Sequence, residues 1–384
     1  MTAIVTDAHY RMSVSLIRDL FDRGVRVAAC EKASIEAPVG FASRGAAQCV
    51  RLPDEEYEAA LLALCREVLE IEGEKPVLLP VGAKTLAMVS RSRDAFSAVA
   101  GLCAATPSQL ALFNDKAAVS ALAKTLGVPV PESFERQPEE ADEPFFSRVP
   151  LPCAVKPHCG ESFGLTASQR YRICRTKDEL RAAFHHFKAL TNEDPIVQEY
   201  LPGAAYGCSV LAKDGAVYRS LCHRRVREYP VSGGPSSCCE SVSREDLLAF
   251  SEALVRKTGF TGPAMFEFKC AADGSPRLLE VNPRVWGTFP LTRAAKTDFA
   301  YSWFCLAAGL PLPEEVPAQH VKMAYYPADF AAGLGYLKAG QPGRFFAAAA
   351  DFLNPRVKNG IADPKDPAPA QVYFRNLFHR GGHK

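Results

Sequence analysis

The sequence predicts an α/β N-terminal domain built on a parallel sheet, followed by α+β subdomains and a C-terminal extension. Three observations carry this prediction. Short β-branched runs alternate with helical patterns over 1–112, and later strands meet at Asp-Gly turns. The length of 384 residues also exceeds one ordinary core, at roughly 100–200 residues per domain. Units are expected at 1–112, 113–195, 196–312 and 313–384.

The first unit opens with a strand over 3–6, a helix over 14–23 and a strand over 24–29, then a helix over 57–71 and a strand over 77–80. Its first strand-to-helix turn, Asp7-Ala8-His9-Tyr10-Arg11-Met12-Ser13, has no glycine. A dinucleotide pyrophosphate needs close backbone approach there, so an NAD-type site is not expected. A helical segment over 114–127 runs into Val128-Pro129-Val130-Pro131, and the Pro/Glu-rich stretch 137–144 reads as a surface loop. A strand over 154–156, a glycine-containing loop to Gly164 and a helix over 178–190 complete the second unit. Strands at 196–200, 209–211 and 216–221 start the third, with a turn at Asp214-Gly215. After a helix over 244–258, strands at 264–270 and 277–282 meet at Asp273-Gly274. Asp-Gly tolerates the positive φ of tight turns, so these strands are predicted to be antiparallel.

Composition excludes several classes. With 45 Lys and Arg against 43 Asp and Glu, the chain has no global field to hold a polyanion, and nucleic acid is not an expected partner. The 13 cysteines are odd in number and lack C-x-x-C spacing, which argues for reduced thiols in a cytoplasmic protein over a disulfide scaffold or zinc ribbon. Neither a signal peptide nor an apolar run of about 20 residues is evident, so no transmembrane segment is expected.

The strands 264–269 and 276–284 each place a carboxylate among apolar residues, Glu267 and Glu280. A lone acid there is costly unless it meets a cation. Paired across the short turn, Glu267, Glu280 and Asn282 converge on one face, because strand residues two apart share a face. Two carboxylates and an amide oxygen are hard ligands suited to Mg²⁺, with Mn²⁺ as a substitute. Arg284 stands ready to neutralise a phosphoryl group. The plain alternative is an exposed hairpin whose acids pair with Lys269 and Arg277.

Lys156 ends its strand beside His158-Cys159-Gly160-Glu161-Ser162-Phe163-Gly164, a point charge and backbone donors for a triphosphate, or simply an exposed lysine on a loop. Gln198, Glu199, Tyr200 and Leu201 lie in an apolar strand whose backbone could meet an adenine edge, or in an ordinary strand. Arg224, Arg225 and Arg227 are guanidinium forks close to Gly233-Gly234, fitting a carboxylate or acyl phosphate, or a basic strand edge.

In this order, Asn114-Asp115-Lys116, the glycine loop, Gln198-Glu199-Tyr200-Leu201, Glu267-Phe268 and Leu279-Glu280-Val281-Asn282-Pro283-Arg284-Val285-Trp286-Gly287 resemble the ATP-grasp superfamily over about 1–312. The resemblance implies an N-terminal α/β domain and two α+β subdomains that clamp ATP. It implies that Lys116 and Lys156 contact phosphates or adenine, and that Gly160, Ser162 and Gly164 belong to a loop closing over them. Gln198, Glu199, Tyr200 and Leu201 would line the adenine pocket, Glu267, Glu280 and Asn282 would hold Mg²⁺, and Arg284 would stabilise the transferring phosphoryl group.

Within that superfamily, the segment from His223 through Gly233-Gly234 to Glu240 resembles carboxylate-amine ligases. It implies substrate roles for Arg224, Arg225, Arg227, Gly233 and Gly234. Many members carry an acidic ribose ligand after the adenine segment, and Ala204-Ala205-Tyr206-Gly207-Cys208-Ser209 has none, so the ribose contact stays unassigned. The implied reaction activates a small-molecule carboxylate as an acyl phosphate and couples it to an amine, with release of ADP and phosphate. Amino acids are among the candidate substrates, and a homodimer is left open. An ATP-binding regulatory or scaffold protein and a small-molecule kinase are the rival readings.

Beyond Pro313, Tyr325-Tyr326, Phe345-Phe346 and Phe352-Leu353 read as a docking surface. The segment 371–384 reads as a helix packed on the body with a basic tail, the alternative being a helix on an anionic membrane.

Overall fold

The structure is a computed structural model that describes residues 1–158, 165, 169–231 and 233–380, with 378–380 as backbone alone. Its first sheet contains β1 (Thr2–Val5), β2 (Arg26–Lys32), β3 (Gln48–Leu52) and β4 (Val77–Leu79), all parallel, in the order β3-β2-β1-β4. Ala3 and Val5 of β1 pack with Leu16, Ile17 and Leu20 of the helix Arg11–Asp22. Ile4 packs on the other side with Leu61 and Leu64 of the helix Tyr57–Glu72. Both faces are covered, which is why β1 reads as a continuous apolar run. β3 escapes sequence reading because Gln48, Cys49 and Arg51 are exposed.

The strand order reverses between β1 and β4, where open α/β sheets form a ligand crevice. Here Asp7, at φ 54°, fills it: its carboxylate accepts the Gly82 N–H and the Thr85 hydroxyl, each at 2.8 Å. A Cβ on Gly82 would sit 2.4 Å from that carboxylate.

The second sheet is antiparallel, with β5 (Ser133–Phe134), β6 (Cys153–Lys156), β7 (Arg172–Cys174) and β8 (Ile196–Glu199) in the order β5-β8-β6-β7. Phe145, Phe146, Phe184 and Phe187 fill its core under the helix Lys177–Thr191, which starts at a Thr176/Glu179 capping box. The sequence assigns the strand at 196 to the third unit. The structure corrects this, because β8 pairs with β6 from Cys153↔Glu199 to Lys156↔Ile196.

The third sheet contains β9 (Ala205–Lys213), β10 (Ala216–Glu228), β11 (Ser236–Val242), β12 (Gly262–Cys270), β13 (Pro276–Asn282), β14 (Lys322–Ala324) and β15 (Lys358–Asn359). Its order is β13-β12-β9-β10-β11-β14-β15, antiparallel except for the last pair. Both Asp-Gly turns form as predicted, with Gly215 and Gly274 at φ 83°. Phe113, Phe260, Phe266 and Leu254 fill the core between this sheet and the helices Pro107–Asn114 and Glu245–Thr258. The twelve described cysteines are free, and all but Cys49 are buried.

The C-terminal segment is not a separate extension. β14 and β15 join the third sheet, and the helix Ala368–Arg380 packs near Val14 and Val39 of the first unit. Between them, the helices Ala328–Lys338 and Pro342–Leu353 form a hairpin anchored by Arg227. That guanidinium, almost wholly buried, grips Asp329 with two hydrogen bonds of 2.8 and 2.7 Å and reaches Asp351 at 2.7 Å. Arg227 is therefore a structural residue rather than a substrate ligand, and the sequence assignment is corrected.

Arg227→Ala would leave Asp329 buried without its cation, and removing one partner of a buried pair typically costs about 3–5 kcal/mol. A fall of that order in urea-unfolding stability is expected, and a change within experimental error would contradict the structural assignment.

Candidate functional site

A cavity of about 510 Å³ opens between the second and third sheets, with Arg11 of the first unit also on its wall. At its centre, β12 and β13 place Glu267 directly opposite Glu280. The register then slips, so that Phe268 faces Leu278 and Leu279 is the extra residue of a bulge. Asn282 stands opposite Met265, one side-chain repeat away on the cavity wall.

Like charges directly opposite one another across a ladder are destabilising. Each carboxylate here has its own cation. Arg225 pairs with Glu267 through Nη2, and Lys116 Nζ lies 3.1 Å from Glu280 Oε2. Asn282 donates from Nδ2 to Glu267 Oε1 at 3.1 Å, which leaves its amide oxygen available. Burial, aided by Glu280, pushes the Glu267 carboxyl up despite Arg225. Burial also opposes ionisation of Glu280, but Lys116 and Lys156 outweigh it and hold that carboxyl low. Glu267 and Glu280 thus turn to cavity cations and not to Lys269 and Arg277, as the plain hairpin alternative would have it.

Local structure explains these positions. Asp115 caps the helix Lys116–Thr125, its Oδ1 accepting the Ala117 and Ala118 N–H groups at 2.8 and 3.0 Å. Lys116 consequently occupies the positive end of that helix, against the macrodipole, and Glu280 is what compensates it. Lys156 ends β6 on the cavity wall, where burial and the nearby Lys116 lower its ammonium to about 8. Arg284 is also on the wall, donating to the Val285 carbonyl at 3.2 Å. Buried Trp286, packed edge-on against Phe289 and Phe299, fixes the chain just beyond it.

The Gln198, Glu199, Tyr200 and Leu201 segment lines the opposite wall. Gln198 donates to Ser133 Oγ at 3.0 Å, and Lys269 lies 5.5 Å from the Tyr200 ring centre. Gly233 and Gly234 line the cavity too. Gly233 adopts φ 129°, and a Cβ there would overlap the Tyr171 hydroxyl at 1.3 Å. Gly160, Ser162 and Gly164 lie outside the described residues.

The three arginines of β10 separate. Arg225 faces the cavity, and its buried Nε has no hydrogen-bond partner among the described residues. Arg224, one residue away, turns to the other face and pairs with Glu240 at 2.9 and 2.5 Å, so it is not a cavity residue. The alternation then fails, because the ladder slips between Arg225 and Arg227.

Sequence reasoning missed His223, Arg11, Tyr171, Glu228 and Lys269 as wall residues. His223 carries a signal of period two, since it stands opposite Gly207, which in turn stands opposite Glu267. A Cβ on Gly207 would lie 2.2 Å from the imidazole, so glycine makes room for it. Burial and Arg225 push His223 down to about 3, leaving the ring neutral, with Nε2 3.3 Å from Thr288 Oγ1. Arg11 has no such signal. It reaches the Gly287 carbonyl at 3.1 and 3.3 Å and lies 4.2 Å from the Tyr325 ring centre.

No group of three or more His, Cys, Asp and Glu suited to a metal occurs among the described residues. A divalent ion here would therefore rest on two carboxylates, an amide oxygen and donors from outside the protein. The lining carries Arg11, Lys116, Lys156, Arg170, Arg225, Lys269 and Arg284 against Glu199, Glu228, Glu267 and Glu280, an excess of positive charge that suits an anionic ligand.

Residues 191–327 match the family model described as ATP-grasp in the biosynthetic pathway with Ter operon. The carbamoyl phosphate synthase large chain of Deinococcus radiodurans is 26% identical over 258 residues, 64% of this chain and 24% of that protein. The chain thus spans about a quarter of the length of that relative. Among solved structures, the biotin carboxylase domain of Hydrogenobacter thermophilus 2-oxoglutarate carboxylase has a TM-score of 0.63 at 16% identity, over 84% of this chain and 73% of that one. The Bacillus licheniformis L-amino acid ligase has a TM-score of 0.56 at 15% identity, over 84% and 78%. At such identities the structures establish a shared fold. The comparisons thus show an ATP-grasp family match over 191–327 and a fold shared over most of the chain.

Proposed function

We propose that this chain is an ATP-dependent ligase that activates a small-molecule carboxylate as an acyl phosphate and couples it to an amine. The observation that carries this reading is the facing pair Glu267 and Glu280, with Asn282 beside it and Lys116, Lys156, Arg225 and Arg284 lining the same cavity. The biotin carboxylase domain of Hydrogenobacter thermophilus was solved with MgADP and bicarbonate, and the Bacillus licheniformis protein is an L-amino acid ligase. Both support the class of chemistry.

Hard oxygen donors from Glu267, Glu280 and Asn282 fit Mg²⁺. The two opposed carboxylates, one of them with its carboxyl raised by burial, are a negative centre that a divalent cation would relieve. Bound there, the ion would supply charge neutralisation to the phosphate oxygens of ATP. Lys116 and Lys156 hold those phosphates as point charges, and the 198–201 segment provides the adenine wall. Arg225 and Arg284 orient the carboxylate and stabilise charge on the phosphoryl group in flight.

In the first step a carboxylate oxygen forms a bond to the γ-phosphorus as the bond to the β,γ-bridging oxygen breaks, and ADP leaves. In the second, the amine nitrogen bonds to the acyl carbon, the carbon–oxygen bond to phosphate breaks, and the amine loses a proton. The protein's part is positioning and charge neutralisation, since both reactants are anionic.

The direct test is a screen of paired small carboxylates, amino acids included, and amines for phosphate release. Release that requires both partners supports the ligase. A stable phosphorylated product from one partner would make the chain a kinase, and nucleotide binding without turnover on any pair would make it a regulatory binder. Glu280→Gln is expected to lower ADP formation about 100-fold or more with the circular dichroism spectrum unchanged, and near-normal turnover would remove Glu280 from the site.

Nucleotide affinity should also depend on Lys156. Its ammonium is charged below about 8, so affinity is full below that pH and falls as pH rises through it, by up to about tenfold per unit. Titration of an ATP analogue across this range should show the fall in the native chain and a flat profile in Lys156→Arg. An unchanged slope in the variant would assign the pH dependence to another group.

A further inference from the structure

The helical hairpin of Ala328–Lys338 and Pro342–Leu353 carries an apolar face that the fold leaves uncovered. Phe330, Leu334 and Leu337 follow one another at helical spacing on the first helix, all about half-exposed. Phe346 and Leu353, 66% and 79% exposed, lie seven residues apart on the second. Phe352 joins the stripes, its ring 4.6 Å from Phe330 and 5.4 Å from Tyr326. The two helices therefore share one continuous surface of large apolar side chains, of a kind that marks an interaction site.

Its charge pattern identifies the partner. Between 328 and 358 the charged residues are Asp329, Lys338, Arg344, Asp351, Arg356 and Lys358. Both acids are turned inward: Asp329 is buried on Arg227, and Asp351 bonds to Arg227 and Lys322 at 2.7 and 2.6 Å. The four cations are all exposed. The exposed charge from Ala328 to Lys358 is thus entirely positive, with Arg344 over the Tyr336 ring at 4.8 Å, and it accompanies an apolar stripe. A protein partner would be met by mixed charge in the usual case, whereas an anionic bilayer presents headgroup charge above hydrocarbon, the matching order.

We propose that the 328–353 hairpin docks the protein on the surface of an anionic phospholipid membrane. No described helix is long and apolar enough to cross a bilayer, so the contact is interfacial. Leu334, Leu337, Phe346 and Leu353 enter the acyl boundary, and Lys338, Arg344, Arg356 and Lys358 meet the phosphates. The last helix is not this element, because it packs on the first unit. The hairpin also touches the cavity's edge: Tyr336 Oη accepts the Glu228 N–H at 3.4 Å, and a Cβ on Gly335 would meet Val231 at 2.8 Å. Docking therefore places the cavity close to the membrane surface.

Flotation of the full chain with phosphatidylglycerol–phosphatidylcholine vesicles tests this. The chain is expected to float with them at low salt, to be released at high salt, and to stay behind with pure phosphatidylcholine. The combined change Lys338→Gln, Arg344→Gln, Arg356→Gln and Lys358→Gln should weaken partitioning by on the order of fivefold per charge removed. Leu334→Glu with Leu353→Glu should abolish it, both variants keeping the native circular dichroism spectrum. No flotation of the native chain, or flotation undiminished in both variants, overturns the proposal. So would a dimer, seen by sedimentation velocity without vesicle binding, that Leu334→Glu with Leu353→Glu converts to a monomer, since the face would then belong to a second copy.

Discussion

Two carboxylates facing each other across neighbouring strands are the constraint on which the rest of this structure turns. Glu267 and Glu280 are register partners in β12 and β13, in a place where strands ordinarily gather apolar pairs. Such an arrangement persists only if positive charge is brought in, and the fold brings it from both flanks. Arg225 comes from two strands away on β10, and Lys116 comes from the start of a helix whose dipole would repel it. Neither cation has a reason of its own to be there. The carboxylates explain the cations, and together they define a cavity poised to exchange internal ion pairs for an external polyanion and metal.

The surrounding architecture supplies rigidity where that exchange needs it. The second sheet carries Lys156 and the 198–201 wall, the third carries the carboxylates, and Trp286 ties the strand end beyond Arg284 into the core shared with the first sheet. In the first sheet, the crevice that could have held a nucleotide is filled by Asp7. The candidate chemistry is thereby confined to the space between the other two sheets. Arg227 performs the corresponding structural task at the far end of β10, where it consumes the acids of the C-terminal hairpin and leaves that hairpin's surface cationic.

Much of this was legible in the sequence where the pattern is local. The shared face of Glu267, Glu280 and Asn282 follows from a period of two and a short Asp-Gly turn, and the register confirms it. The same logic could not sort Arg224, Arg225 and Arg227, because the ladder slips at Val226 and the partners of Arg227 lie about a hundred residues onward in the chain. Pairing of the strand at 196 with β6 and of β14 with β11 is likewise non-local, so the unit boundaries drawn from chain order misplace both. β3 gave no apolar signal because it is an exposed edge. Arg11 was invisible because only the folded molecule brings the first helix to the cavity.

The central claim is that nucleotide and divalent ion enter together and replace the internal pairs of Glu267 and Glu280. Binding of a non-hydrolysable ATP analogue, measured calorimetrically with Mg²⁺ and again in EDTA, addresses it without knowledge of the substrates. The account predicts markedly tighter binding with the ion in the native chain and little gain from it in Glu267→Gln with Glu280→Gln. Equal affinity with and without the ion in the native chain would contradict it.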